Sequence, residues 1–108
     1  MSRFSETLER LAATIAARKG ADPAASYTAQ LLADPGRAAK KLGEEAVETA
    51  LAAVSADKGA IAAESADLIY HWLVLLAATG VDLDAVAQKL EAREGRSGIE
   101  EKAGRTSG

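Results

Sequence analysis

Four aspartates cut this chain into helices. Asp22-Pro23, Asp34-Pro35, Asp57 and Asp82 each stand just ahead of a stretch rich in alanine and leucine. An aspartate in that position can accept the backbone N–H groups that a first helical turn leaves unbonded. Proline at the first helical position has no N–H to leave unpaired. Gly20 and Gly80 stand where helices should end, because glycine takes the left-handed conformation at little cost. Ahead of Gly20, Phe4, Leu8, Leu11 and Ile15 recur at i, i+4, i+7 and i+11, a single helical stripe, and Arg18 and Lys19 suit its negative end. The spacing predicts a first helix up to Gly20, a short one from Pro23 through Leu32, and a long one from Pro35 to about Val54. A fourth should run from Asp57 to Thr79. A fifth should open at Asp82, turn Leu83, Val86 and Leu90 inward, and end near Gly95. No segment alternates apolar and polar residues between turn signals, as a strand would. The expected fold class is all-α: about five helices in a bundle, completed by dimerisation because so small a chain buries little on its own. Residues 1–94 should form the domain and 95–108 a polar tail.

Composition narrows the function classes. The 26 alanines favour thin helices that lie close together. The net charge of -3 provides no basic field for a nucleic-acid backbone, so no nucleic-acid partner is expected and any phosphate must be held locally. The absence of cysteine excludes disulfides, thiolate nucleophiles and zinc-thiolate sites. The longest apolar run, Leu68 to Ala78, is interrupted by His71 and is too short to span a bilayer. Met1-Ser2-Arg3-Phe4 lacks the apolar stretch of a signal peptide. The expectation is a cytoplasmic protein with no membrane partner.

Chemistry concentrates in two acidic groups on successive helices: Glu44, Glu45 and Glu48, then Glu64 and Asp67. At 100° per residue, Glu45 and Glu48 lie about 60° apart on one face, as do Glu64 and Asp67. The short link around Ser55 to Gly59 makes the two helices antiparallel neighbours, so their acidic faces can meet. Carboxylates gathered this way repel one another unless some are protonated or a cation sits among them. Oxygen donors without imidazole or thiolate favour magnesium or manganese, whose usual work is phosphoryl chemistry. The plainer alternative is a solvated face, with Lys40–Glu44 and Lys41–Glu45 as ordinary i, i+4 pairs. Against it, Glu64 and Asp67 open a helix that is otherwise core-like, where acids seldom sit without a partner.

Glu44-Glu45-Ala46-Val47-Glu48 followed by Glu64-Ser65-Ala66-Asp67 resembles the E-E-x-x-E … E-x-x-D signature of the all-α, MazG-like nucleoside-triphosphate pyrophosphatases. Lys40 through Glu48, Glu64 through His71, Ser26-Tyr27-Thr28-Ala29 and Arg96 through Ala103 together resemble the phosphoribosyl-ATP pyrophosphatase family of histidine biosynthesis. The likeness spans about Phe4 to Arg105. It implies a magnesium-dependent homodimer, with manganese a substitute, that hydrolyses phosphoribosyl-ATP to phosphoribosyl-AMP and pyrophosphate. It makes Glu45, Glu48, Glu64 and Asp67 the metal ligands. Glu44 joins Glu45 and Glu48 as a catalytic candidate, serving a second ion or orienting the attacking water, or else simply pairing with Lys40. Lys41, one turn before Glu45, can reach a phosphate oxygen or form a surface pair. His71 is expected to be buried and to support Asp67 as a hydrogen-bonding neighbour rather than as a ligand. Tyr70 and Trp72 are read as core residues, and Tyr27 as a packing residue with base stacking as its alternative. Arg93 and Arg96, with Gly95 and Gly98, suggest a basic flap that folds over bound substrate or docks on a neighbouring subunit, against the alternative of a frayed end. The second ribose phosphate would need cations away from the metal, with Arg37, Lys40, Arg93, Arg96 and Arg105 as candidates. Two rivals remain: a housecleaning pyrophosphatase of the same superfamily, and a non-catalytic helical dimerisation module.

Overall fold

A computed structural model describes residues 2–95. It contains five α-helices, α1 (Arg3–Ala17), α2 (Tyr27–Leu32), α3 (Pro35–Ser55), α4 (Lys58–Thr79) and α5 (Leu83–Glu91), with no strand among the described residues. Three of the four aspartates act as expected. Asp34, Asp57 and Asp82 accept from the backbone N–H groups of Arg37, Ala60 and Ala85 at 2.9 to 3.1 Å, and Pro35 begins α3.

Asp22 does not cap a helix. Its carboxylate accepts from the N–H of Ala24, two residues on, and its carbonyl from the N–H of Ala25, so Asp22-Pro23 closes a tight turn. Helix α2 begins four residues later than expected, at Tyr27, where the Ser26 hydroxyl accepts from Ala29 N–H. Helix α5 also ends early, at Glu91, although turns continue to Gly95 with its φ of +74°.

Helix α4 is the spine. It packs against α1, α2 and, most extensively, α3. The core joins Ile15 of α1, Leu31 and Leu32 of α2, Ala38 of α3, and Leu73 and Val74 of α4. Full burial of a side chain such as Leu31 or Val74 contributes about 1.5–3 kcal/mol. Phe4 and Leu90 depart from the expected inward stripes and stay 63% and 59% exposed, because no described residue covers them. Tyr27 is likewise 42% exposed rather than packed away.

By length and hydropathy α4 could cross a membrane, the alanines of its first half extending the apolar stretch beyond Leu68–Ala78. Only 17% of its most apolar window is buried in the single chain. That window lies in a helix carrying Glu64, Asp67 and His71. The Cα radius of gyration is 16.1 Å, whereas a compact domain of this length would have about 13 Å.

The link that reverses α3 into α4 is Ala56-Asp57. Ala56 ends α3 in the left-handed region, φ 60°, where a Cβ is strained, and Gly80 ends α4 in the same conformation, φ 77°. Apart from its chain neighbours, no described residue places an atom within 4 Å of a Cβ built on Gly80, so the cost there is conformational. Ala56→Gly is expected to stabilise the protein and Gly80→Ala to destabilise it, each by roughly 0.5–1 kcal/mol after the unfolded-chain entropy is counted. Thermal melting of the two variants checks the pair of signs.

Candidate active site

Because only two residues separate α3 from α4, the helices leave the turn antiparallel and in fixed register. Thr49 shows that register: its hydroxyl reaches the carbonyl of Glu45 on its own helix at 2.7 Å and that of Glu64 on α4 at 3.2 Å. The acidic segments therefore face one another. Carboxylate oxygens of Glu45, Glu48 and Glu64 all lie within 4.8 Å of one another. One oxygen each of Glu45 and Glu64 is buried with no hydrogen-bond partner among the described residues. An unpartnered buried carboxylate oxygen is costly, and a divalent cation would satisfy both. The donor set, all carboxylate oxygen, fits magnesium or manganese by its chemistry.

Asp67 is placed differently from its three companions. It is exposed and lies outside that close set, and of the neighbouring acids it acts least on Glu64. Glu44 is also outside. It pairs with Lys41 at 3.2 Å, in place of the Lys40–Glu44 and Lys41–Glu45 pairs that i, i+4 spacing suggests. Chiefly through that hydrogen bond, Glu44 holds the Lys41 ammonium above the usual lysine pKa, with a smaller contribution from Tyr27. His71 is buried, and its Nδ1 donates to the backbone carbonyl of Asp67 at 2.8 Å, not to the carboxylate. The opposite ring nitrogen, Nε2, is buried without a partner among the described residues. Tyr27 and Tyr70 both stand edge-on to the His71 ring, with centroids 6.4 and 4.9 Å away. Arg37 lies over Tyr27 at 5.8 Å from the ring centre, a contact for which helix spacing gave no signal. Arg93 is in the turn after α5, while Arg96, Ser97, Gly98 and Arg105 lie outside the described residues.

Desolvation raises the Glu64 pKa above the ordinary carboxylate value, reinforced by the closeness and charge of Glu48 and by the charges of Glu45 and Asp67. The unfolded chain releases this proton near the ordinary value, so the folded state is penalised as pH rises from there through the raised pKa. Metal-free protein should thus be more stable below the unfolded pKa and lose that contribution on the way up. Glu64→Gln removes the titration and should flatten this part of the profile, with the variant the more stable form at neutral pH. Melting curves across pH in chelator test it, and an unchanged slope in the variant would remove Glu64 as the source.

The sequence model of the family described as phosphoribosyl-ATP pyrophosphohydrolase matches residues 8–94. Among similar proteins is the "Phosphoribosyl-ATP pyrophosphatase" of Caulobacter vibrioides strain NA1000 / CB15N, 71% identical over 103 residues, covering 95% of this chain and 96% of the relative. That of Caulobacter sp. strain K31 is 68% identical over 107 residues, covering 99% and 100%, and that of Parvibaculum lavamentivorans is 59% identical over 106, covering 97% of each. A match across most of the chain, at such identity and around a carboxylate set of this kind, places the chain in the phosphoribosyl-ATP pyrophosphohydrolase family.

Proposed function

We propose that the protein hydrolyses phosphoribosyl-ATP to phosphoribosyl-AMP and pyrophosphate, the second step of histidine biosynthesis. The observation that carries the reading is the Glu45–Glu48–Glu64 set, two of whose buried oxygens lack partners, in a chain 71% identical to a relative of that name. Glu45, Glu48 and Glu64 would hold a magnesium ion, for which manganese can substitute, with Asp67 as a fourth ligand at the margin. When bound, such an ion neutralises polyphosphate charge and lowers the pKa of water.

The protein's own groups do the rest. Water attacks in line, the bridging P–O bond between the α and β phosphates breaks, and pyrophosphate leaves. A carboxylate of the Glu44, Glu45 and Glu48 run takes the proton that the water loses. Lys41, steadied by Glu44 at the edge of the acidic set, approaches a phosphate oxygen. Arg93 and Arg96 contribute to substrate binding where the 1–94 domain meets the 95–108 tail. His71, bonded to the Asp67 carbonyl, fixes the α4 backbone beneath the ligands. Positioning and charge neutralisation supply most of the acceleration, and no covalent intermediate is needed.

Chelation should abolish pyrophosphate release, and added magnesium should restore it. Glu48→Gln keeps the shape but removes charge from the ion site, and should lower kcat at least about a hundredfold with the fold retained. Glu44→Gln should be milder. Phosphoribosyl-ATP should be hydrolysed far faster than ATP or dUTP; comparable rates would instead favour the housecleaning reading. Full activity in excess chelator would sink the carboxylate site.

We further propose a homodimer. Val47, Leu51 and Val54 form an exposed apolar stripe on α3 at i, i+4 and i+7, and α4 is only partly covered within one chain. A second copy would shield both surfaces, and the radius of gyration suits a half-completed bundle. Leu51→Glu should shift the protein to monomer in analytical ultracentrifugation and lower its melting temperature. A dimer of unchanged affinity would rule out this face.

A further inference from the structure

The carboxylates recognise polyphosphate and cannot separate one nucleotide from another. A second feature, away from them, has the chemistry to do so. Between α1, the turn after it, α2 and α4 lies a cleft of about 320 Å³, within the size range of small-ligand sites. Its polar lining comes from Thr14, Arg18, Ser26, Tyr27, Thr28 and Tyr70. Arg18 is the only charged residue among the lining groups, so no acid offsets it there. Among the described residues its guanidinium has no ion pair and no hydrogen-bond partner.

Backbone geometry fixes this arrangement. Arg18 is the cap of α1, its N–H bonded to the carbonyls of Ile15 and Ala16. Gly20, with φ +83°, and the Asp22-Pro23 turn then bring the chain back, so that Ser26 faces the end of α1 across the cleft. The Ser26 oxygen accepts from Ala29 N–H, which leaves its hydroxyl proton available to a ligand. Thr28 and Tyr70 are hydrogen-bonded to each other and form one wall. Tyr27 forms another side: its ring meets His71, whose Nδ1 bonds the Asp67 carbonyl, and Arg37 lies over it.

We infer that this cleft is a subsite for a sugar-phosphate dianion, with Arg18 and Ser26 binding its phosphate and Tyr27 contacting its pentose. Resting on the substrate proposed above, this assigns to the cleft the ribose phosphate that distinguishes that substrate from ATP. Arg18 suits the task because a guanidinium can give a phosphate two parallel hydrogen bonds. Among the described residues, Arg37, Lys40 and Arg93 do not line this cleft, whereas Arg18, which in sequence reads only as a helix-end charge, does once the turn folds back over it.

The test uses ribose 5-phosphate as the probe, titrated into metal-free full-length protein by calorimetry, alongside steady-state kinetics with phosphoribosyl-ATP. Arg18→Ala should weaken ribose 5-phosphate binding roughly ten- to hundredfold, the usual range for losing a charge-assisted hydrogen bond. It should raise KM for phosphoribosyl-ATP by a similar factor with kcat nearly unchanged, as expected when binding common to ground and transition states is lost. Arg18→Lys, which keeps the charge but not the fork, should fall between, and it decides the matter if the alanine variant folds poorly. Arg10→Ala, elsewhere on α1, should leave both measurements unchanged. Ribose 5-phosphate that fails to bind the wild type, or that binds both Arg18 variants equally well, overturns the subsite. Arg18-dependent binding in a protein inactive on phosphoribosyl-ATP would support the cleft and count against the substrate instead.

Discussion

The pairing of α3 with α4 forces together groups that repel. Three carboxylates within 4.8 Å would part if the helices were free to rotate or slide. They are not free, because the Ala56-Asp57 link is too short and Thr49 reaches across to the Glu64 carbonyl. Long helices of 21 and 22 residues extend beyond the acidic zone, and their apolar contacts there oppose a repulsion confined to a few turns. Burial then excludes the water that would otherwise satisfy the Glu45 and Glu64 oxygens. The same geometry therefore weakens the empty protein and presents a carboxylate set that a cation would relieve.

Most of the scaffold was legible because its punctuation is local. Asp34-Pro35, Asp57 and Asp82 cap helices through bonds to residues three positions on, so sequence alone carries the signal. Asp22-Pro23 carries the same letters but closes a turn through Ala24 and Ala25. An aspartate turn and an aspartate cap begin with the same chemistry, and what separates them is whether the following residues bury an apolar face. Here Tyr27 through Leu32 does so, with Ala29, Leu31 and Leu32 buried, whereas Pro23, Ala24 and Ala25 remain exposed.

Within the site, helical spacing identified which acids share a face but not which of them converge. Glu64 and Asp67 are both on the carboxylate side of α4, yet only Glu64 faces Glu45 and Glu48 closely. Periodicity gives an angle about one axis, while convergence depends on the register between two. The same limit applies to Lys41, which finds Glu44 rather than Glu45 because side-chain direction chooses between i+3 and i+4. Arg18 illustrates the extreme case: its relation to Ser26 and Tyr27 exists only once the intervening turn has formed.

His71 connects the two halves of the molecule's chemistry. Its ring is buried between two tyrosines, one of which, Tyr27, lines the polar cleft, while its Nδ1 holds the α4 backbone at Asp67. Histidine serves here because one ring nitrogen can bond a carbonyl while the ring makes T-shaped contacts with two aromatic rings. Leucine would fill the volume but lose this second bond to a carbonyl that the helix ladder already engages, and asparagine would keep the bond but leave the tyrosines without a ring to pack on. A displacement of Tyr27 would thus be transmitted through one rigid ring to the turn of α4 that carries Asp67 and lies just beyond Glu64. The polar cleft and the Asp67 turn of α4 therefore both touch a single side chain, His71.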